Sequence, residues 1–213
     1  MADIISSNKT IAKNTLLTYG RMLFNLVVSL YTSRVILQVL GVDDLGTYQV
    51  VGGIVSIFTF IGGAMAGATS RFLAYEIPLG NLERLKKTFS ASLNVNLISA
   101  VLFAFIAETV GVWLVLNVLS IPPGRENAAM IVYQFSILST VLTFIQTPYN
   151  ATLIAHEKIS VFAYIGILDT LLKLLICYLV VVLPMDKLVA YAILFSLTGA
   201  IIQFIYWVYC KRP

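Results

Sequence analysis

Six long apolar stretches run through this chain, and several carry a full charge well inside the stretch: Arg21, Arg34, Glu108, Asp169 and Lys173. An apolar run of about 20 residues is the length of a helix that crosses a bilayer. An ionisable group within such a run costs about 2.5–3.5 kcal/mol on insertion scales, so it faces protein or a wet cavity rather than lipid. The pattern therefore predicts an all-α membrane protein, a bundle of six transmembrane helices with a polar interior.

Turn signals place the spans at about residues 14–40, 45–75, 88–119, 127–155, 159–183 and 188–209. Gly41-Val42-Asp43-Asp44 closes the first, and Pro78, Gly80 and the charged run Glu83 to Lys87 follow the second. Ile121-Pro122-Pro123-Gly124, His156-Glu157-Lys158 and Pro184-Met185-Asp186 separate the others. The links are short, so residues 1–213 read as a single transmembrane lobe with no inserted soluble domain. A span of about 27 residues at 1.5 Å per residue reaches about 40 Å, so the longer spans are expected to tilt, kink or protrude.

Only 11% of the residues are charged while 59% are hydrophobic, which leaves too little polar surface for a soluble domain. The net charge of +4 sits mostly in the links and is no nucleic-acid footprint. Lys9, Lys13, Arg84, Lys86, Lys87, Lys158, Lys211 and Arg212 fall on one side of the predicted bundle. Arg125 and Lys187 fall on the other, among Asp43, Asp44, Glu126 and Asp186. That bias places both termini in the cytoplasm. Residues Met1 to Thr15 lack the short apolar core of a cleaved signal peptide. Cys177 and Cys210 have no paired spacing and His156 is the one histidine, so neither a disulfide nor a metal site is expected. No phosphate-binding loop or nucleophile set stands out, which points to a non-enzymatic protein without a cofactor.

The polar interior is legible as stripes. Asn14, Thr18, Arg21, Asn25, Ser29 and Thr32 recur at spacings of three and four on the first span, placing them on one helical face. Turned to a wet lumen, that face is a polar track with one fixed positive charge; alternatively, Arg21 snorkels to phosphates at the membrane surface. Arg34 lies on another face, suited to the interface, to packing or to substrate. On the fourth span, Ser136, Ser139, Thr140, Thr143, Thr147 and Asn150 share a face with Gln146 at its edge, for helix packing or for the lumen. Pro148 predicts a kink near Phe144. Asp169 and Lys173 stand four residues apart near mid-bilayer, either as a structural ion pair or as a switchable one in which Asp169 takes a proton or Lys173 is lent to an anion. Glu108 is a second proton-site candidate. Gly63 and Gly67 are spaced for close approach of another helix.

The run Ser33 to Tyr48, with Arg34, Leu40-Gly41, Asp43-Asp44 and Gly46-Thr47-Tyr48, resembles the first hairpin of bacterial polysaccharide and O-antigen flippases. Pro148 to Lys158 is similar to their link between the fourth and fifth helices. These proteins belong to the multidrug/oligosaccharidyl-lipid/polysaccharide exporter superfamily. The resemblance implies an inner-membrane, multi-pass transporter that moves an oligosaccharide on a polyprenyl pyrophosphate to the outer leaflet by alternating access. Arg34 is carried over by its hairpin motif. Arg21, with Asn25 beside it, and Lys173 come from the stripe argument as groups suited to a pyrophosphate. Arg71, at the cytoplasmic end of the second span, either receives the headgroup or snorkels.

Members of that family have twelve or more spans, so the resemblance covers the N-terminal lobe. A cavity between lobes then requires a C-terminal lobe of the same protein or a second copy. Two rivals stand beside this reading. One is an ion-coupled multidrug exporter of the same superfamily, disfavoured because basic interior groups outnumber acidic ones. The other is a membrane scaffold or remnant without transport, which has little use for Arg21 at its depth.

Overall fold

The computed structural model describes residues 2–119 and 121–211, with side chains of residues 12–119 and 121–211. Lys9 and Arg212, two of the charges used to orient the chain, lie outside the described side chains. The described elements are helical. They are α1 (Ala2–Ser56), α2 (Thr59–Glu76), a 3-10 turn (Ile77–Leu79) and α3 (Leu82–Ile106). Next, a π-helical turn (Ala107–Gly111) leads into α4 (Val112–Asn117), followed by α5 (Glu126–Ala155), α6 (Ile159–Val182) and α7 (Lys187–Lys211).

Five segments are long and apolar enough to cross a membrane, the first of them Ala12–Ser56. That first segment is not one pass. Gly41 sits at φ +81°, ψ 175°, a conformation that side-chain-bearing residues rarely adopt. Before it, residues 12–40 run parallel to α6, with Arg21 on Phe162, Asn25 bonded to Thr170 and Tyr31 to Tyr178. After it, residues 42–56 run with α5 and α7, through Asp44 to Arg125 and Tyr48 to Tyr191. On α2, Gly62 continues this line against Phe144 and Thr147. Helices α6 and α7 are antiparallel, since Lys173 meets Phe195 while Lys158 meets Tyr209. The two arms of α1 are therefore antiparallel to each other. The described residues make six passes, with the second formed by residues 42–56 together with α2.

Three expected boundaries move. The first span reverses at Gly41 alone, and residues 42–44 are already helical. The second is broken at Ile57-Phe58, where the Ser56 hydroxyl donates to Gly53 O (2.8 Å) and the Thr59 hydroxyl to Ser56 O (2.6 Å). These local bonds compete with the helical ladder beside the weak helix formers Gly52 and Gly53. The third begins at Leu82 rather than residue 88, because the Asn81 side chain caps the helix by accepting from the Arg84 amide at 3.1 Å. Its charged run is thus the first turns of a helix and not a link.

Packing centres on α5, which contacts α2, α3 and α7 most extensively. Tyr133 is fully buried there and explains the π turn. Its hydroxyl donates to Ala107 O at 2.7 Å, while the amide of Val112 takes the same carbonyl one residue late. A Cβ on Gly111 would lie 1.8 Å from that hydroxyl, so only glycine fits. Helix α5 runs through Pro148, whose missing amide leaves Phe144 O without its helical donor. At one end of the bundle Arg125 pairs with Asp44 (2.5 Å) and with Asp186, which also accepts from the amides of Leu188 and Val189 to cap α7. Large apolar side chains point outward, Phe60 at 82% and Val182 at 80% exposure, a surface that suits lipid.

Candidate functional site

The polar face of α1 is the one that packs inward. Asn14, Thr18, Arg21, Asn25 and Thr32 are half-buried, whereas Leu16, Tyr19, Leu23, Leu26 and Leu30 face out. Ser29, assigned to the same stripe, is exposed.

Arg21 and Asn25 enter a cleft of about 300 Å³ between α1, α5, α6 and α7. Ser139, Thr143, Gln146 and Asn150 of α5 line it opposite Asp169 and Lys173 of α6. The stripes on three separate spans therefore meet. Ser136, Thr140 and Thr147 part from the others. Thr147 packs near Gly62, and Ser136 and Thr140 line a neighbouring cavity of about 340 Å³. Ser139 and Phe195 form walls of both cavities. The two adjoin along α5, and the 14 steps from Ser136 to Asn150 span about 21 Å at 1.5 Å per residue.

Within the cleft the charges are not equivalent. Lys173 Nζ donates to Asp169 Oδ2 at 2.7 Å, so this pair is internally neutral. Lys173 also lies 5.1 Å from the centre of the Phe195 ring. Among the described residues no carboxylate pairs with Arg21. Its guanidinium stacks 4.3 Å over Phe162, and its Nε is buried with no hydrogen-bond partner. Asn150 Oδ1 is a second buried, unpartnered polar atom in the same cleft. A cation–π contact is worth about 0.5–2 kcal/mol and orients a guanidinium without cancelling its charge. The cleft thus carries one uncompensated positive charge, aimed by α6.

That aim comes from residues four apart on α6. Phe162 supplies a ring and Gly166 a gap, while Thr170 donates to Asn25 Oδ1 at 2.8 Å. Sequence reasoning did not single out these three, nor Tyr206 of α7, which also lines the cleft. Their shared spacing was the available signal.

The remaining candidates lie elsewhere. Arg34 and Arg71 are exposed outside the cleft, on α1 and α2. Glu108 is exposed on the π turn and accepts from Gln134 Nε2 at 3.2 Å. Gly63 and Gly67 have open space where a Cβ would stand, so no described helix uses their close approach.

The MatE family model matches residues 16–179, from the first arm of α1 through most of α6, which includes three of the four helices that line the cleft. No curated protein and no solved structure matches the chain. With six passes among the described residues, a polar cleft between them and a family match over most of its length, the chain belongs to the MatE family, as a multi-pass membrane transporter of the multidrug/oligosaccharidyl-lipid/polysaccharide exporter superfamily.

Proposed function

We propose that the chain forms the N-terminal lobe of a flippase that moves a polyprenyl-pyrophosphate-linked oligosaccharide from the cytoplasmic to the outer leaflet by alternating access. The observation that carries this reading is Arg21, half-buried and stacked on Phe162, with no carboxylate paired to it among the described residues. A half-buried guanidinium with no paired carboxylate and an unpartnered Nε is suited to receive an anion, and its planar fork suits a phosphate oxygen pair. Asn25, Gln146 and Asn150 add neutral hydrogen-bonding groups around it. Lys173 is a second contact, lent to the anion from its pair with Asp169. A cationic drug, by contrast, meets the repulsion of Arg21 at the same wall.

On this reading the lobe sits in a bacterial inner membrane with both termini cytoplasmic, as the link charges favour. It acts with membrane lipids and a C-terminal lobe or a second copy, and it performs no covalent chemistry. The test is translocation in proteoliposomes of a fluorescent polyprenyl-pyrophosphate oligosaccharide. The intact transporter is expected to move it, and Arg21→Ala to slow it at least about tenfold, equivalent to roughly 1.4 kcal/mol. Unchanged transport by Arg21→Ala sinks the proposal.

A further inference from the structure

Helix α7 carries a stripe of its own, apolar and turned outward. Leu197, Ile201, Phe204 and Val208 recur at spacings of four, three and four, so they share one helical face. The first three are 53%, 41% and 61% exposed. Toward the end of α7 the stripe widens into a groove of about 240 Å³ lined by Phe204, Ile205, Val208 and Tyr209. Lys211 follows Val208 by three residues and stays on the same face. We infer that this groove binds one anionic phospholipid, with an acyl chain along the stripe and the phosphate between Lys158 and Lys211.

Both lysines are exposed, and an aromatic ring holds each at the head of the groove. Lys158 Nζ, at the start of α6, lies 5.6 Å from the centre of the Tyr209 ring, which is one wall. Lys211 Nζ lies 4.7 Å from that of Trp207. Trp207 in turn stands 5.9 Å from Phe204, the opposite wall. Among the described residues no carboxylate pairs with either lysine, although Glu157 precedes Lys158 in the chain. A ring directs an ammonium without cancelling its charge, and each ammonium keeps three donors to offer. Arg84, Lys86 and Lys87 of α3 lie at the same end of the bundle but rest on no ring among the described residues.

The stripe selects a lipid chain. From Leu197 to Val208, eleven steps at 1.5 Å rise about 16 Å, close to the roughly 15 Å of hydrocarbon in one leaflet. All four of its side chains are apolar, so a sugar laid along it would give up hydrogen bonds to water and find none in return. The two ammoniums then select the headgroup. A lipid with net negative charge satisfies both, whereas a zwitterionic lipid brings a cation of its own to the same place. The site requires only that α7 spans a bilayer, and it stands whether or not Arg21 receives a pyrophosphate.

The experiment uses Trp207 as reporter, with Trp113, the other tryptophan, replaced by phenylalanine. The protein is reconstituted in phosphatidylcholine vesicles in which a fraction of the lipid is brominated phosphatidylglycerol or brominated phosphatidylcholine, either of which quenches a tryptophan it touches. Phosphatidylglycerol is expected to bind at least about fivefold more strongly, the effect of about one lysine at a lipid surface. Lys158→Gln with Lys211→Gln should abolish that preference. Lys86→Gln with Lys87→Gln removes the same charge at the same end and should retain it. Equal quenching by the two lipids overturns the inference. So does a preference that survives the loss of Lys158 and Lys211, or one lost equally with Lys86 and Lys87, since either result marks diffuse surface charge. Absence of quenching by both lipids means that protein covers this face, and it overturns the inference too.

Discussion

At Gly166 of α6 the absence of a side chain leaves the space that Arg21 fills. A Cβ there would stand 3.1 Å from both Cδ and Nη1 of the arginine, closer than most real contacts. Gly166→Val should therefore push the guanidinium off Phe162 and weaken pyrophosphate binding about tenfold or more, while Gly166→Ala should have a smaller effect in the same direction. Titration calorimetry with inorganic pyrophosphate measures both. In an Arg21→Lys background, where no fork rests on residue 166, the same changes should cost little; an equal loss in both backgrounds would make Gly166 a packing residue only. Arg21, Asn25, Asp169 and Lys173 were legible in the sequence because helical spacing reveals a shared face. Phe162 and Gly166 were not, since an arginine's resting place depends on the helix that happens to lie beside it. Asn150 and Gln146 stood between these cases, placed on the correct face by period but with no sign of what they face.

Helix ends show a similar division. The Gly41 reversal and the capped α7 follow from residues whose backbone or side-chain chemistry admits few alternatives. The break at Ile57-Phe58 was hidden because its hydroxyl bonds are local choices that a uniformly apolar stretch does not announce. The ion cluster of Arg125, Asp44 and Asp186 joins three helix ends across long separations in sequence. Its members were visible as link charges, their pairing was not. Asp44 is 6% exposed, so Arg125→Ala should leave a buried carboxylate unsatisfied and cost about 1–3 kcal/mol, seen as a lower melting temperature in detergent. Asp44→Asn combined with Arg125→Ala should recover part of that loss. A double variant no more stable than Arg125→Ala would count against the burial argument.

At the scale of the whole molecule, hydropathy marks five crossing segments, and helix direction makes six. The difference lies in Ala12–Ser56, where a single positive-φ glycine turns one helix into two passes. An even number of passes puts the ends of α1 and α7 on the same face. Tags at the N-terminus and after α7 should thus be digested together or protected together in sealed vesicles, and opposite protection would restore an odd count.

The central claim is that stripes on α1, α5 and α6 converge on one wet cleft with a free positive charge. Thiol labelling tests it most directly. With Cys177 and Cys210 replaced by serine, a single cysteine is placed at Thr143, in the cleft, or at Leu138, exposed on α5 outside it. A membrane-impermeant maleimide should label Thr143→Cys rapidly and Leu138→Cys slowly. Pyrophosphate should protect Thr143→Cys only while Arg21 is present. Labelling of Thr143→Cys no faster than Leu138→Cys, or protection that persists in Arg21→Gln, would contradict the account.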